Sequence, residues 1–257
     1  MITINNISKI FFPHTNREHQ ALKSVSLTIE KGDFITIVGG NGAGKSTFLN
    51  AIAGSFPIDQ GQIIIGDTDV TKLSEAKRAK LISRVYQNPL DGTAPRMTVE
   101  ENMALALRRG KRRTLRKASK KADVELFKDS LKQMNLGLEE RLTTEMGLLS
   151  GGQRQAIALL MATLQKPELL LLDEHTAALD PKTERTIMKL TKEKIEQENL
   201  TAMMITHNLQ DALEYGNRLI VLHRGKIVRD FKQEEKSLLT TTSLYQLLVD
   251  LDEQTLL

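Results

Sequence analysis

Residues 39–47 read Gly39-Gly40-Asn41-Gly42-Ala43-Gly44-Lys45-Ser46-Thr47, which fits the spacing G-x-x-x-x-G-K-[ST]. Glycines here let the backbone curl so that successive N–H groups converge on phosphate oxygens. A helix opening at the end of the loop adds the partial positive charge of its N-terminus. In that arrangement the backbone of Gly39, Asn41, Gly42, Ala43 and Gly44 cradles a polyphosphate, and Lys45 reaches its β- and γ-phosphates. The Ser46 hydroxyl is placed to ligate Mg²⁺, and Thr47 is within reach of phosphate. A second cluster completes this chemistry. Four leucines, 169–172, end in Asp173 and Glu174. A buried strand that ends in two acids presents them at the sheet edge where α/β folds bind ligands. Asp173 suits Mg²⁺ at one remove, and Glu174 can orient or deprotonate a water aimed at the γ-phosphate.

A second anion cradle lies between these two motifs. Leu149-Ser150-Gly151-Gly152-Gln153 puts two glycines behind a serine at the opening of a helix. One γ-phosphate needs one cradle per chain, so a spare cradle implies a second chain. The pentapeptide arises by chance in roughly one chain in a few thousand of average composition. That rarity makes it more specific than the phosphate loop or the acid pair taken singly.

These residues need a scaffold of parallel strands and helices. Residues 34–38 form a β-branched run that reads as a buried strand leading into the loop, and 46–53 read as a helix ending at Gly54. Residues 2–7 alternate like an edge strand, and 25–29 alternate again. Further short strands are expected at 63–65, 83–86, 169–172, 202–206 and 219–222, with helices between the later ones. From Val99 to about Leu138 the pattern is helical and charged, which predicts an inserted helical subdomain, and a short helical segment is expected from Ser237 on. The predicted fold is α/β: a phosphate-loop core with a parallel sheet, an N-terminal antiparallel β subdomain and an inserted α-helical subdomain. It is expected to be one domain over 1–257, with the insert at about 88–165.

The chain has 257 residues, 40% of them apolar and 26% charged, ordinary values for a globular protein with a real core. It has no cysteine, which excludes disulfides, thiolate metal sites and thiol nucleophiles. No apolar run is long enough to span a membrane, and the start lacks the pattern of a signal peptide. The net charge of +4 is unevenly placed, because 108–121 reads RRGKRRTLRKASKK. That stretch suits a solvated helix or a patch facing lipid headgroups or RNA; no aromatics interleave it, which weakens the RNA reading.

Taken together, the three motifs in this order and spacing resemble the ATPase subunits of ABC transporters, and the resemblance covers nearly the whole chain. It implies roles for further residues. Gln87 resembles the Q-loop glutamine that touches Mg²⁺ and senses the membrane partner. Asp180, in Ala178-Leu179-Asp180, resembles the D-loop that crosses the dimer interface. His207 resembles the switch histidine that contacts the γ-phosphate. Phe11 aligns with the aromatic that stacks on adenine, with Phe12 as the alternative. Read alone, Gln87, His207 and Phe11 would be ordinary surface or core residues. The sequence departs from the family at His175, where proline usually follows the glutamate, and at Gly40, where proline or serine is frequent.

The resemblance implies ATP and Mg²⁺ as cofactors and a head-to-tail homodimer that sandwiches two ATPs between the loop of one chain and Ser150–Gly152 of the other. It also implies integral membrane permease subunits docking on the loop from Gln87 to about Thr98, where Pro89, Gly92 and Pro95 break the regular backbone. A substrate-binding protein would be an indirect partner, no nucleic acid is expected, and the place of work is the cytoplasmic face of the cell membrane. The segments Phe11-Phe12-Pro13-His14-Thr15-Asn16, Thr93-Ala94-Pro95 and 173–180 resemble a subgroup serving permeases like those for branched-chain amino acids, some linked to tryptophan or tyrosine uptake. The competing readings are a soluble ABC ATPase without a transporter, the ATPase of a multi-subunit exporter, and a phosphate-loop kinase. The last has no use for a second cradle.

Overall fold

The computed structural model describes residues 1–111 and 119–253. Residues 112–118, the middle of the basic stretch, lie outside the described residues, so the lipid and RNA readings of that stretch fall there too. Along the chain come β1 (Ile2–Phe11), β2 (His19–Ile29), β3 (Phe34–Val38), α1 (Lys45–Ala53), β4 (Gln60–Ile65), β5 (Thr68–Asp69) and α2 (Glu75–Arg78). Next are β6 (Ile82–Val85), α3 (Val99–Leu107), α4 (Lys121–Lys132), α5 (Gly151–Thr163), β7 (Leu169–Asp173) and α6 (Pro181–Glu198). The remaining elements are β8 (Ala202–Ile205), α7 (Leu209–Glu214), β9 (Arg218–His223), β10 (Lys226–Phe231), α8 (Gln233–Ser237) and α9 (Thr241–Glu253). The fold is α/β, and the chain divides into two compact units: Met1–Arg78 together with the chain from Leu200 on, and Ala79–Asn199.

The first unit holds an antiparallel sheet in the order β2-β1-β4-β5 and the strands β10-β9-β3-β8. β1 is an inner strand of its sheet, not the edge strand its alternation suggested: Ile2 pairs with Ile29 of β2 on one side and with Ile65 of β4 on the other. Alternation marks one buried face, and it says nothing about whether both strand edges are paired. β3 carries five buried residues, as its continuous apolar run predicts, and lies parallel to both β8 and β9. Ile37 lies opposite Ile205, and Val38 opposite Val221, so the C-terminal ends of these strands share one edge. α9 packs through Leu244, Leu247, Leu248 and Leu251 on a cluster that includes Val38, Leu219 and Val221. This is the helical spacing of one apolar stripe.

In the second unit β6 and β7 run parallel, with Val85 opposite Leu172. The helices α3, α4 and α5 enclose a separate core that includes Val99, Met103, Phe127, Leu131, Ile157 and Leu160. α3 opens on a capping box, in which Thr98 accepts from the Glu101 N–H and the Glu101 carboxylate accepts from the Thr98 N–H. The buried Asn102 in its first turn braces the preceding loop. Its amide oxygen accepts from Ala94 N–H at 2.7 Å, and its amide nitrogen donates to the carbonyls of Ala94, Met97 and Thr98.

In the first unit, buried Lys236 on α8 holds the end of α7, with Nζ donating to the carbonyls of Tyr215 and Gly216. Burial pushes this amine down from its usual range to about 8. Because the native state releases the proton before the unfolded chain does, this residue's contribution to stability rises with pH between about 8 and 10.5. Urea unfolding at pH 7.5 and 9.5 is expected to show the stability gap between the protein and Lys236→Met shift by about 2 kcal/mol. A gap that is the same at both pH values would contradict this account of the buried amine.

Candidate functional site

The phosphate loop leaves β3 at Gly39 and ends at Gly44, the N-cap of α1. Gly39 has φ of 154°, and a Cβ there would lie 2.1 Å from the Leu222 carbonyl oxygen on β9, so only glycine lets the loop turn this close to the neighbouring strand. The loop is tied down at its far end as well. Gly225 N–H donates to the Ala43 carbonyl at 2.9 Å, and Lys23 N–H donates to the Gly225 carbonyl at 2.8 Å. No side chain caps α1. The first N–H groups of a helix have no intrahelical acceptor, so this N-terminus is left to an anion. Lys45 folds back across the loop, with Nζ donating to the carbonyls of Gly39 at 2.7 Å and Gly40 at 3.1 Å. Ser46 is exposed at the same helix opening, and Thr47 is half-buried beside it.

Three other features of this unit bear on the site. His207 is exposed two residues beyond β8, at the same strand edge as Gly39. Phe11 is half-buried at the end of β1 and meets Phe56 edge-on, with ring centroids 5.3 Å apart and Lys9 Nζ between 5.5 and 5.6 Å from both rings. Phe12 is 64% exposed and has a left-handed φ of 52°. Asp252 on α9 belongs to no motif and was not visible as a site residue in the sequence. Its carboxylate lies 3.4 Å from His223 Nδ1 and within 3.6 Å of where a Cβ on Gly40 would stand.

The second unit gathers the other predicted residues. Asp173 ends β7 and is ion-paired with Arg84 of β6, whose guanidinium also lies over the Tyr86 ring at 4.6 Å. Glu174, one residue further, has a left-handed φ of 45°. For a residue with a side chain that conformation costs on the order of 1–3 kcal/mol and persists only where its surroundings hold it. Ala177 N–H donates back to the Glu174 carbonyl, and Leu179 N–H to that of Thr176, which closes the turn toward α6. Gln87 is exposed two residues beyond β6, at the strand edge shared with Asp173. Buried Gln155 of α5 donates to the Tyr86 carbonyl at 3.2 Å and pins the backbone just before it.

Ser150 caps α5 and forms a capping box with Gln153: its Oγ accepts from Gln153 N–H at 3.3 Å, and Gln153 Oε1 accepts from Ser150 N–H at 3.1 Å. The N–H groups of Gly151 and Gly152 remain at the helix opening, the arrangement of an anion cradle. Asp180 caps α6 by accepting from Lys182 and Thr183 N–H. The Thr183 side chain also bonds the Asp180 carboxylate, the leading cause that holds it below its usual range, with backbone N–H donors adding to the effect. A Cβ on Gly152 would stand 2.2 Å from Thr183 Cγ2. The second cradle and Asp180 are therefore packed into one body through Thr183.

Among the described residues no group of three or more His, Asp or Glu could hold a metal by itself. Among the described residues no helix is long and apolar enough to cross a membrane.

Comparison with known proteins places this geometry. Residues 22–177 match the family described as ABC transporter. The chain is 44% identical to a tyrosine transport ATP-binding protein of Clostridioides difficile (strain R20291), over 96% of this chain and 98% of that one. It is 34% identical to a phosphonates import ATP-binding protein of Lactobacillus delbrueckii subsp. bulgaricus, over 91% of each. Among solved structures, it resembles an ATP-binding cassette captured as a dimer in a post-hydrolysis state with ADP and Pi. The TM-score is 0.77 and the identity 31%, over 91% of this chain and 99% of that one.

Gly152→Ala is expected to destabilise the protein by about 1–3 kcal/mol through overpacking against Thr183. Thr183→Ser keeps the hydroxyl toward Asp180 and removes Cγ2, so the double variant should recover most of that loss in urea unfolding. Equal losses with and without Thr183→Ser would show that the clash is not where the cost arises.

Proposed function

This chain belongs to the ABC transporter family, and we propose that it is the ATP-hydrolysing subunit of an importer, acting as a head-to-tail dimer on separate membrane permease subunits. Members of this family hydrolyse ATP, so the chain is an ATPase. The observation that carries the dimer is the pair of anion cradles in one chain, at the N-termini of α1 and α5. One nucleotide uses one phosphate loop. The second cradle, built on Gly151 and Gly152 behind a capped Ser150, is then the lid for a nucleotide held by another copy. The dimeric state of the solved cassette supports the same arrangement.

In this reading Lys45 and the backbone from Gly39 to Gly44 bind the phosphates, and Phe11 carries the adenine. Ser46, Gln87 and Asp173 are the residues that would hold Mg²⁺, which would supply neutralisation of the phosphate charge. Arg84 bonds one oxygen of Asp173, so the other oxygen is the one that would serve a bound Mg²⁺. Glu174 accepts the proton of the attacking water, His207 donates to the γ-phosphate, and Asp180 crosses to the second copy. Closure of the dimer completes the site and opening after hydrolysis resets it, so that chemistry is coupled to motion.

The loop from Gln87 to Thr98 is the docking surface for the permease. It is braced from within by Asn102, and Gly147 N–H donates to the Pro95 carbonyl at 2.8 Å. Leu90 and Leu148 are both exposed there, apolar side chains of the kind a partner covers. The protein accordingly works at the cytoplasmic face of the membrane, with a substrate-binding protein upstream. The substrate class is an amino acid, aromatic by the tyrosine transport relative.

Glu174→Gln tests this reading. Hydrolysis is expected to fall by about 10²–10⁴-fold, and ATP–Mg²⁺ should shift the variant from monomer to dimer on size exclusion. Full hydrolysis by the variant would remove Glu174 from its role. Lost hydrolysis with no dimer would mean that the permease is needed to bring the two copies together.

A further inference from the structure

His175 stands where the family usually has proline, and the structure shows what it does instead. Proline would stiffen the turn after Glu174 covalently, through its ring. His175 is instead 2% exposed and reaches into the core of the second unit, where Nε2 lies 3.0 Å from Thr191 Oγ1. Thr191 is fully buried in α6 and has one hydroxyl proton, which it donates to the Ile187 carbonyl at 2.8 Å. Toward the imidazole that hydroxyl can only accept. Nε2 therefore carries the proton, and the ring is held as one tautomer in one orientation.

We propose that His175 is a positioning residue for ATP hydrolysis, tying the strained turn that presents Glu174 to the middle of α6 through its bond to Thr191. The Glu174 backbone sits at a φ that it would leave if released. The two backbone bonds that close the turn, from Ala177 and Leu179, are local and would move with it. Two side-chain bonds reach out of the turn to the eighteen-residue α6: a long one from Thr176 Oγ1 to Glu184 Oε1 at 3.4 Å near the helix start, and the buried one of His175 to Thr191, which is shorter and reaches the middle of the helix. The same helix begins at Asp180, so one rigid element fixes both the Glu174 turn and the residue proposed to cross the dimer interface.

This inference rests on Glu174 as the base, and the test separates the two. Steady-state hydrolysis is measured on the full chain as purified, for Thr191→Val, Thr191→Ser and the pair Thr191→Val with His175→Pro, beside Glu174→Gln. Thr191→Val removes the acceptor at nearly constant volume. Its kcat is expected to fall about tenfold with KM for ATP within about twofold, because a displaced base slows the chemical step and leaves binding alone. Thr191→Ser keeps the hydroxyl and should keep the parent kcat. In the double variant proline restores the stiffness by its own route and leaves no buried donor unpaired, so kcat should recover.

A merely structural bond predicts otherwise: a lower melting temperature with kcat per folded molecule unchanged, and no recovery on adding proline. That result overturns the proposal, as does a Thr191→Ser variant as slow as Thr191→Val. If Glu174→Gln hydrolyses ATP at the parent rate, the base assignment fails and the tether has nothing to position. If Glu174→Gln is inactive while Thr191→Val keeps its kcat, the tether alone is wrong.

Discussion

The loop backbone at Gly39 passes so close to β9 that the Leu222 carbonyl occupies the space a side chain would need. Much of the first unit follows from that contact. β3 must pair with β9, because a paired neighbour is what puts that carbonyl there, and β8 flanks its other side. The loop must return to a helix start without a capping side chain, since its N–H groups serve the ligand. The hairpin between β9 and β10 then closes the loop from the far side, through Gly225 to Ala43. A rigid cradle is the outcome. Fixed donors lose no freedom when phosphate arrives, which is the advantage of a preorganised site.

The second unit achieves fixity differently. Its acids stand at the end of β7, and the key residue occupies an unfavourable backbone region closed locally by the bond from Ala177 N–H. Tertiary contacts hold it: the His175–Thr191 bond, the Arg84 ion pair on Asp173, and the capped start of α6. Such a segment keeps its geometry only while its neighbours keep theirs. Gly152 under Thr183 and Gln155 under Tyr86 have the same character, contacts between segments that carry predicted site residues.

The family and the candidate site were legible in the sequence because their signals reside in short contiguous motifs. Gly39 to Thr47, Ser150 to Gln153 and Asp173-Glu174 each specify local backbone or a strand end, and the fold class followed from the strand and helix rhythm around them. Features that depend on register stayed hidden. β10 went unnoticed because a bulge between Ile227 and Arg229 breaks its alternation, leaving a burial pattern with no period of two. β1 extends to Phe11 past irregularities near Ile4, Ile7 and Lys9, so its alternation runs out well before the strand does. Arg84, Thr183, Thr191 and Asp252 carry no motif, and only tertiary packing brings each to its partner. His175 was visible as a departure from the family, but its sixteen-residue reach to Thr191 was not.

The two cradles differ in a way that bears on how such a site can cycle. α1 has no side-chain cap, so its opening gains most from an anion and should hold one steadily. α5 is already closed by the reciprocal box of Ser150 and Gln153, which satisfies two of its donors without a ligand. What remains is the pair of glycine N–H groups, enough to recognise a phosphate but not to depend on one. A permanent site and a conditional one are what a clamp requires. If both ends gripped equally, the closed state would persist after hydrolysis and the cycle would stall; if neither did, ATP would not draw two copies together. In the dimer proposed above, the capping box would make the second contact the weaker of the two and so the one released, a balance made of ordinary helix-end hydrogen bonds.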